Sequence, residues 1–237
     1  MIELPVKNRR EPYTVNPSKL IALGLNYRAH IAESVSVNVQ GFTDEVPEEP
    51  LLFPKTPNVL IGPDQPIVIP SFLKGYEFEA LRTDHEAELA VIIGRTCKDV
   101  PTGDAMDCIL GYTCMNDVSQ RNIQNGDRTG WFRGKSLDTF GPIGPRVVLA
   151  TDLPDPHHLD VFCRLNGETV QAGNTSQMIF TIPEIVAFVS KNFTLLPGDI
   201  ILTGTPAGVG PLNHKDVVEV EIEGIGILKN PVVDETI

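Results

Sequence analysis

Positive charge is scarce in this 237-residue sequence, which has 19 lysine and arginine residues against 31 aspartate and glutamate residues. The formal net charge of −12 at pH 7 argues against nucleic acids and anionic membrane surfaces as partners, because both are polyanions. We therefore expect neither. An anionic small molecule could still bind where a metal ion or a few well-placed lysine or arginine side chains supply local positive charge.

Long hydrophobic runs are also missing. No apolar stretch approaches the roughly 18 residues of a membrane-spanning helix, and the N-terminus does not have the pattern of a signal peptide. The sequence has only four cysteines, Cys97, Cys108, Cys114 and Cys163, and none of them form a CxxC pair. All four lie in or beside apolar segments, which predicts buried free thiols in a cytoplasmic protein.

Glycine and proline are frequent, with 20 of each, and few segments keep a long helical period. This composition predicts a β-rich mixed α/β architecture with a few short helices. One helix should begin near Thr181, which forms a capping-box pattern with Glu184 and is followed by Pro183. We predict a short N-terminal segment at residues 1–18 and a main domain at 19–237. Within that domain, the irregular residues 31–50 are predicted to form a lid.

Two carboxylates stand at the start of an apolar run. Glu86 and Glu88 precede residues 89–93, which are typical of a buried strand ending at Gly94. Because side chains alternate along a strand, both glutamates point to one face, where they repel each other and lose hydration. An oxygen-binding divalent cation would resolve both problems. Two unrelated acids at a solvated strand entrance would give the same local pattern.

Asp117 is a third acidic candidate. It follows the mostly apolar, β-prone residues 109–116, and a carboxylate at such a position is seldom buried without a partner. Together with Glu86 and Glu88 it would provide three oxygen ligands for Mg²⁺ or Mn²⁺, whereas zinc sites usually recruit histidine or cysteine. The spacing alone leaves open whether the two strands meet.

Other candidates are weaker when taken alone. His30 and Glu33 are three residues apart in a segment that predicts a short helix, so their side chains can touch. Such a pair suits a general base, although a histidine near a glutamate on a surface helix is common. Lys135 is flanked by Gly134 and a downstream Gly-Pro, which predicts an ordered loop, where a lysine is usually solvated. Residues 203–210, TGTPAGVG, lack the lysine of a P-loop and do not fit GxGxxG.

Seven ordered segments resemble those of the fumarylacetoacetate hydrolase family, over nearly the whole chain from about residue 20. They are GLNYRAHIAE (24–33), FPKTPN (53–58), EAELA (86–90), GYTCMNDVS (111–119), KSLDTFGP (135–142), NGE (166–168) and TGTPAGVG (203–210). The resemblance implies a β-sandwich roll and a homodimer. It also implies an enzyme that cleaves, decarboxylates or isomerises small keto acids at a magnesium or manganese ion.

The resemblance gives the candidate residues roles. The three acidic residues would hold the metal, and His30 with Glu33 would activate water for carbon–carbon cleavage. Lys135 would reach the bound substrate and stabilise the enolate that develops. Three residues are expected to bind the substrate. Arg121 and Gln124 are candidates for holding its carboxylate, and the resemblance implies that Thr205 is close enough to offer its hydroxyl group to the same carboxylate.

The resemblance leaves more than one reaction open. The main hypothesis is a metal-dependent acylpyruvate hydrolase, acting on a substrate such as fumarylpyruvate or acetylpyruvate, with oxaloacetate decarboxylation as a related activity. The competing hypothesis is a 2-hydroxyhepta-2,4-diene-1,7-dioate isomerase, although isomerisation needs no activated water. A non-catalytic protein that binds a keto acid or a metal is the alternative of another class.

Overall fold

Two large β-sheets packed against each other form the core of the structure, a computed structural model that describes residues 2–33, 46–128 and 130–236. The strands are β1 Ile2–Leu4, β2 Tyr13–Val15, β3 Leu20–Gly24, β4 Leu51–Lys55, β5 Leu60–Ile61, β6 Ile67–Ile69, β7 Thr83–His85, β8 Ala87–Ile93, β9 Ile109–Asn116, β10 Ser119–Gln120, β11 Gly141–Leu149, β12 Asp160–Leu165, β13 Glu168–Asn174, β14 Ile200–Leu202, β15 Gly210–Pro211, β16 Val217–Ile222 and β17 Gly226–Asp234. The α-helices are α1 Arg28–Glu33, α2 Arg121–Gly126, α3 Phe132–Lys135 and α4 Ile182–Asn192.

The larger sheet has seven strands in the order β4-β3-β14-β8-β9-β11-β5, and the smaller has five in the order β13-β12-β16-β17-β6. A three-stranded sheet, β10-β7-β15, and the β1–β2 pair complete the architecture. The predicted β-rich sandwich with a few short helices is therefore confirmed.

Strand β8 is apolar from Leu89 to Ile93 because both of its faces are buried there. Leu89 lies in the core between the two large sheets, together with Val220 of β16. Ile92 points the opposite way, into a second core that the β1–β2 pair covers through Leu4. A strand with one solvated face would alternate between apolar and polar residues, so the continuous apolar run marks a strand in the middle of a layered structure.

The predicted start of helix α4 is also confirmed. The hydroxyl of Thr181 donates to Glu184 Oε2 at 2.7 Å, and the Thr181 amide donates to the same oxygen at 2.8 Å. This capping box pairs polar groups that the end of a helix would otherwise leave without partners. The apolar side of α4, including Ile185 and Val189, packs into the core between the sheets.

Several other predictions have outcomes in the fold. All four cysteines are buried and free, as predicted. In the described ranges, no helix combines the length and the apolar character needed to cross a membrane. The predicted lid at residues 31–50 falls largely on residues 34–45, which lie outside the described residues. The division between residues 1–18 and 19–237 stays a prediction.

Candidate active site

The three predicted acidic ligands lie together where β8 begins and β9 ends. The two strands are antiparallel, with Ala87 opposite Asn116, and the Asp117 amide donates to the Glu86 carbonyl at 2.9 Å. One ligand oxygen from each of Glu86, Glu88 and Asp117 lies within 4.8 Å of the others, and all three side chains are buried. We call these residues the carboxylate triad. The sequence spacing left open whether β8 and β9 meet, and the structure shows that they are neighbours.

Two members of the carboxylate triad are paired with buried cations. Lys135 Nζ lies 2.8 Å from Glu86 Oε2 and 2.6 Å from Asp117 Oδ2. Lys55 Nζ lies 2.6 Å from Asp117 Oδ1, and Arg121 Nη2 lies 2.5 Å from Glu86 Oε1. Burial alone would raise the pKa of Glu86, but the charges of Lys135 and Arg121 lower it below its usual value.

Among the described residues, Glu88 is the member of the triad without such a cation. Its Oε2 accepts a hydrogen bond from the Gly204 amide at 2.7 Å, whereas its buried Oε1 has no hydrogen-bond partner among the described residues. Burial raises the pKa of Glu88, and the negative charges of Asp117 and Glu86 raise it further. A divalent cation would satisfy the free oxygen and offset the repulsion. A donor set of three carboxylates fits Mg²⁺ or Mn²⁺.

Lys135 does not lie on a loop, so that prediction was wrong. It is the last residue of α3, its amide donates to the Trp131 carbonyl at 3.1 Å, and its side chain is buried. A helix of four residues is too short to show a helical period in the sequence. Gly134 allows α3 to lie against α2, because a Cβ at this position would lie 2.7 Å from the backbone nitrogen of Gln124. Burial would lower the pKa of Lys135, but the charges of Asp117 and Glu86 raise it.

Lys55 belongs to the site, and sequence reasoning gave it no role. It ends strand β4 and is fully buried, and its Nζ donates to the Lys135 carbonyl as well as to Asp117. Burial lowers the pKa of Lys55. A lysine at the end of the apolar strand LLFPK was the available signal, because a buried lysine needs a partner.

Arg121 and Gln124 lie one helical turn apart on α2, and their side chains are in contact. Arg121 Nη1 donates to Gln124 Oε1 at 3.0 Å, and Arg121 Nε donates to Asp84 Oδ2 at 2.8 Å. Asp84 and Glu86 therefore hold the guanidinium in a fixed orientation. The two predicted substrate-binding residues lie beside the carboxylate triad, and their role in binding substrate stays a prediction.

His30 and Glu33 form a contact on α1. His30 Nδ1 lies 3.4 Å from Glu33 Oε1, and the same oxygen accepts hydrogen bonds from the amides of Gly208 and Val209 at 2.7 and 3.3 Å. Burial would raise the pKa of Glu33, but these hydrogen bonds lower it. The glycine-rich loop after β14 therefore keeps Glu33 ionised beside the imidazole.

One pocket brings most of the predicted side chains together. Its lining consists of the polar residues His30, Glu86, Arg121, Gln124, Lys135 and Thr205 and the apolar or small residues Leu23, Gly24, Leu25, Phe53 and Trp131. The rings of Phe53 and Trp131 meet edge to face with their centroids 5.4 Å apart. This aromatic wall is a second feature that sequence reasoning did not identify. The pocket combines cationic groups with apolar and aromatic ones, and Lys135 Nζ lies 4.9 Å from the centroid of the Phe53 ring. This mixture suits a small organic anion.

The chain is similar to known proteins in sequence and in fold. Residues 19–233 match the family model described as Fumarylacetoacetate (FAA) hydrolase C-terminal. A mitochondrial oxaloacetate tautomerase of Xenopus laevis is 43% identical over 228 residues, which are 92% of this chain and 66% of that protein.

Two solved structures are also similar. The 5-carboxymethyl-2-hydroxymuconate delta-isomerase from Mycobacterium smegmatis has a TM-score of 0.80 and 44% identity, and the match covers 94% of this chain and 81% of the other. Fumarylpyruvate hydrolase from Pseudomonas aeruginosa, in complex with Mn²⁺ and pyruvate, has a TM-score of 0.85 and 28% identity, with 99% and 96% covered. These relatives are a tautomerase, an isomerase and a hydrolase, so members of the family are enzymes. The chain itself belongs to the fumarylacetoacetate hydrolase family.

Proposed function

We propose that this protein is a divalent-metal-dependent enzyme that hydrolyses the carbon–carbon bond of a small acylpyruvate, such as acetylpyruvate or fumarylpyruvate. The observation that carries the proposal is that His30, in contact with Glu33, lines the same pocket as Glu86 of the carboxylate triad. A base for activating water would therefore stand in one pocket with one of the three residues suited to a metal. The Mn²⁺ and pyruvate held by the related fumarylpyruvate hydrolase support a keto-acid ligand.

The carboxylate triad would hold Mg²⁺ or Mn²⁺, which when bound would polarise the substrate's keto group and stabilise the enolate released on cleavage. Lys135 places an ammonium group beside Glu86 and Asp117 and would add positive charge next to that enolate. The substrate carboxylate would be oriented by Arg121 and Thr205, which line the same pocket.

The His30–Glu33 pair would perform the proton transfers. Nδ1 of His30 faces Glu33, so Nε2 is the nitrogen that can accept a proton from water. The resulting hydroxide adds to the distal carbonyl carbon, and the bond between that carbon and the neighbouring methylene breaks. The electron pair of that bond becomes the pyruvate enolate, which takes the proton from His30. The products are a carboxylate and pyruvate.

Proton transfer without water attack is the second candidate, and the oxaloacetate tautomerase and the isomerase among the relatives favour it. The same residues could bind oxaloacetate or a dienoate. His30 would then move a proton between two atoms of the substrate. Release of pyruvate from an acylpyruvate distinguishes the two functions, because proton transfer leaves the carbon–carbon bond of that substrate intact. Pyruvate formed from oxaloacetate does not distinguish them, since decarboxylation also produces it.

The test is a panel of acetylpyruvate, fumarylpyruvate, the enol form of oxaloacetate and 2-hydroxyhepta-2,4-diene-1,7-dioate, assayed with Mn²⁺, with Mg²⁺ and with EDTA. We expect metal-dependent pyruvate release from an acylpyruvate. His30→Ala should reduce that rate by about 10²–10⁴-fold without loss of Mn²⁺ affinity, and Glu33→Gln should reduce it less. His158→Ala is the control, because His158 is exposed and contacts only Asp155 among the described residues.

Metal-dependent decay of the enol without pyruvate release from any acylpyruvate would overturn the hydrolase and support the tautomerase. Metal binding without turnover of any substrate would indicate a binding protein. Unchanged pyruvate release in His30→Ala would remove His30 from the mechanism.

A further inference from the structure

Gln171 connects the smaller sheet to the candidate active site. It lies on β13, it is 1% exposed, and its amide makes four hydrogen bonds. Oε1 accepts from the Ala87 amide at 3.0 Å and contacts His85 Nδ1 at 3.1 Å. Nε2 donates to Thr205 Oγ1 and to the Pro206 carbonyl, both at 2.8 Å. Every donor and acceptor of the Gln171 amide is therefore used.

Two backbone groups determine which way this amide points. The Ala87 N–H can only donate and the Pro206 carbonyl can only accept, so exchanging the oxygen and the nitrogen of Gln171 would break both bonds. Nε2 must then face Thr205 Oγ1, and the Thr205 oxygen accepts this hydrogen bond. The orientation follows from backbone chemistry and does not depend on the hydrogen position of any hydroxyl group.

The consequence concerns the hydroxyl hydrogen of Thr205. Because Thr205 Oγ1 accepts from Gln171, its own hydrogen must point elsewhere. Among the described residues no acceptor takes it, and Thr205 lines the pocket together with Lys135 and Arg121. The hydroxyl group is thus available as a donor to a ligand in the pocket.

We propose that Gln171 is a positioning residue that makes Thr205 a hydrogen-bond donor to the carboxylate of the bound 2-keto acid. This inference rests on the proposed function, because it takes a keto acid as the ligand. A carboxylate only accepts hydrogen bonds, so a hydroxyl group whose oxygen is already engaged by an N–H is oriented for it before binding. Without Gln171, the Thr205 oxygen loses this donor and its hydroxyl hydrogen is no longer held in one orientation.

The test uses oxalate as the probe and titration calorimetry in saturating Mn²⁺. Oxalate presents two adjacent carboxylates, has the shape of a pyruvate enolate and is not turned over. Thr205→Val should raise its Kd about 10- to 100-fold, the loss typical of a hydrogen bond to a charged group. Thr205→Ser keeps the hydroxyl and should bind within about threefold of the wild type.

Gln171→Met removes the amide and keeps the length of the side chain. It should raise the oxalate Kd about 3- to 30-fold in the wild-type background and change it less than about twofold in the Thr205→Val background, because the effect passes through Thr205. The Kd for Mn²⁺ alone should stay within about twofold. If Gln171→Met does not fold, Gln171→Glu keeps the acceptor for Ala87, loses the donor and should show the same dependence on Thr205.

The Gln171 substitution could raise the oxalate Kd by the same factor in the wild-type and Thr205→Val backgrounds. That result would overturn the positioning role, because Gln171 would then act through the backbone between Glu86 and Glu88. A wild-type protein that binds Mn²⁺ but no oxalate would overturn the proposed function and the donor role with it. If the wild type binds oxalate and the Gln171 substitution raises the oxalate Kd equally in both backgrounds, only the role of Gln171 is overturned.

Discussion

Replacing Glu88 by glutamine should stabilise the metal-free protein and abolish its response to metal. Glu88 is the one carboxylate of the triad without a cation partner among the described residues, and its Oε1 is buried without a hydrogen bond. Glutamine would keep an oxygen for the Gly204 amide and turn an NH₂ group toward the other two carboxylates. Relief of an unsatisfied buried group should increase the free energy of unfolding by about 1–3 kcal/mol.

Added metal should stabilise the wild type more than Glu88→Gln. For the wild type, Mn²⁺ at about 100 times its Kd adds about 2.7 kcal/mol to the free energy of unfolding, which raises Tm by about 5–10 °C for a chain of this length. Glu88→Gln removes one of three charged ligands, so we expect a rise below about 2 °C at the same concentration. The variant should thus have the higher Tm in EDTA and the smaller shift in Mn²⁺.

The pH dependence of the metal-free protein gives a second observable. The folded-state pKa of Glu88 is raised above the ordinary value of 4.5, so the folded state binds more protons than the unfolded state. This contribution to stability is fully present below the unfolded pKa and is lost as the pH rises through the folded pKa. Wild-type Tm in EDTA should therefore fall over that range, and Glu88→Gln should lack this part of the decrease.

Thermal unfolding in EDTA and in Mn²⁺, across pH, measures all three effects. Glu168→Gln is a matched control, because Glu168 is exposed and its side chain has no hydrogen bond or ion pair among the described residues. Equal Mn²⁺-induced Tm shifts in the wild type and in Glu88→Gln would refute the assignment of Glu88 as a ligand. A lower Tm of the variant in EDTA would refute the argument that Glu88 is electrostatically strained without metal.

Three further predictions concern packing and assembly. Lys55→Met should lower the free energy of unfolding in urea by about 3–5 kcal/mol, because it leaves Asp117 without one of its buried cation partners. Lys229 is exposed and forms a surface salt bridge, so Lys229→Met should lower the free energy of unfolding by less than about 1 kcal/mol. Equal losses of stability in the two variants would contradict the reasoning. Gly24→Ala should destabilise by about 1–3 kcal/mol, because its Cβ would lie 2.5 Å from the Trp131 ring. Trp131 is the single tryptophan, so an unchanged fluorescence spectrum in Gly24→Ala would show that the ring has not moved. Finally, we predict a homodimer, and light scattering that gives the monomer mass of 25.9 kDa would contradict it.

The sequence by itself determined the features that depend on local period. Glu86 and Glu88 were placed on one face because side chains alternate in a strand, and the apolar run after them predicted the buried strand β8. The capping box at Thr181 predicted the start of α4 for the same kind of reason, since its partners are three residues apart. The His30–Glu33 contact likewise follows from helical spacing. In each case the interacting groups are close in the chain, so their spacing carries the information.

Only the tertiary structure decided how the site is charged and oriented. Lys135 looked like a loop lysine because α3 has four residues, yet its packing against α2 brings the ammonium group between two distant acids. Lys55 and Gln171 reach the site from β4 and β13, strands far in sequence from β8 and β9. Their partners follow from the order of strands in the sheets and from the packing of one sheet on the other. Those arrangements leave no periodic trace around either residue, because contacts between distant segments do not constrain the spacing of their neighbours in the chain.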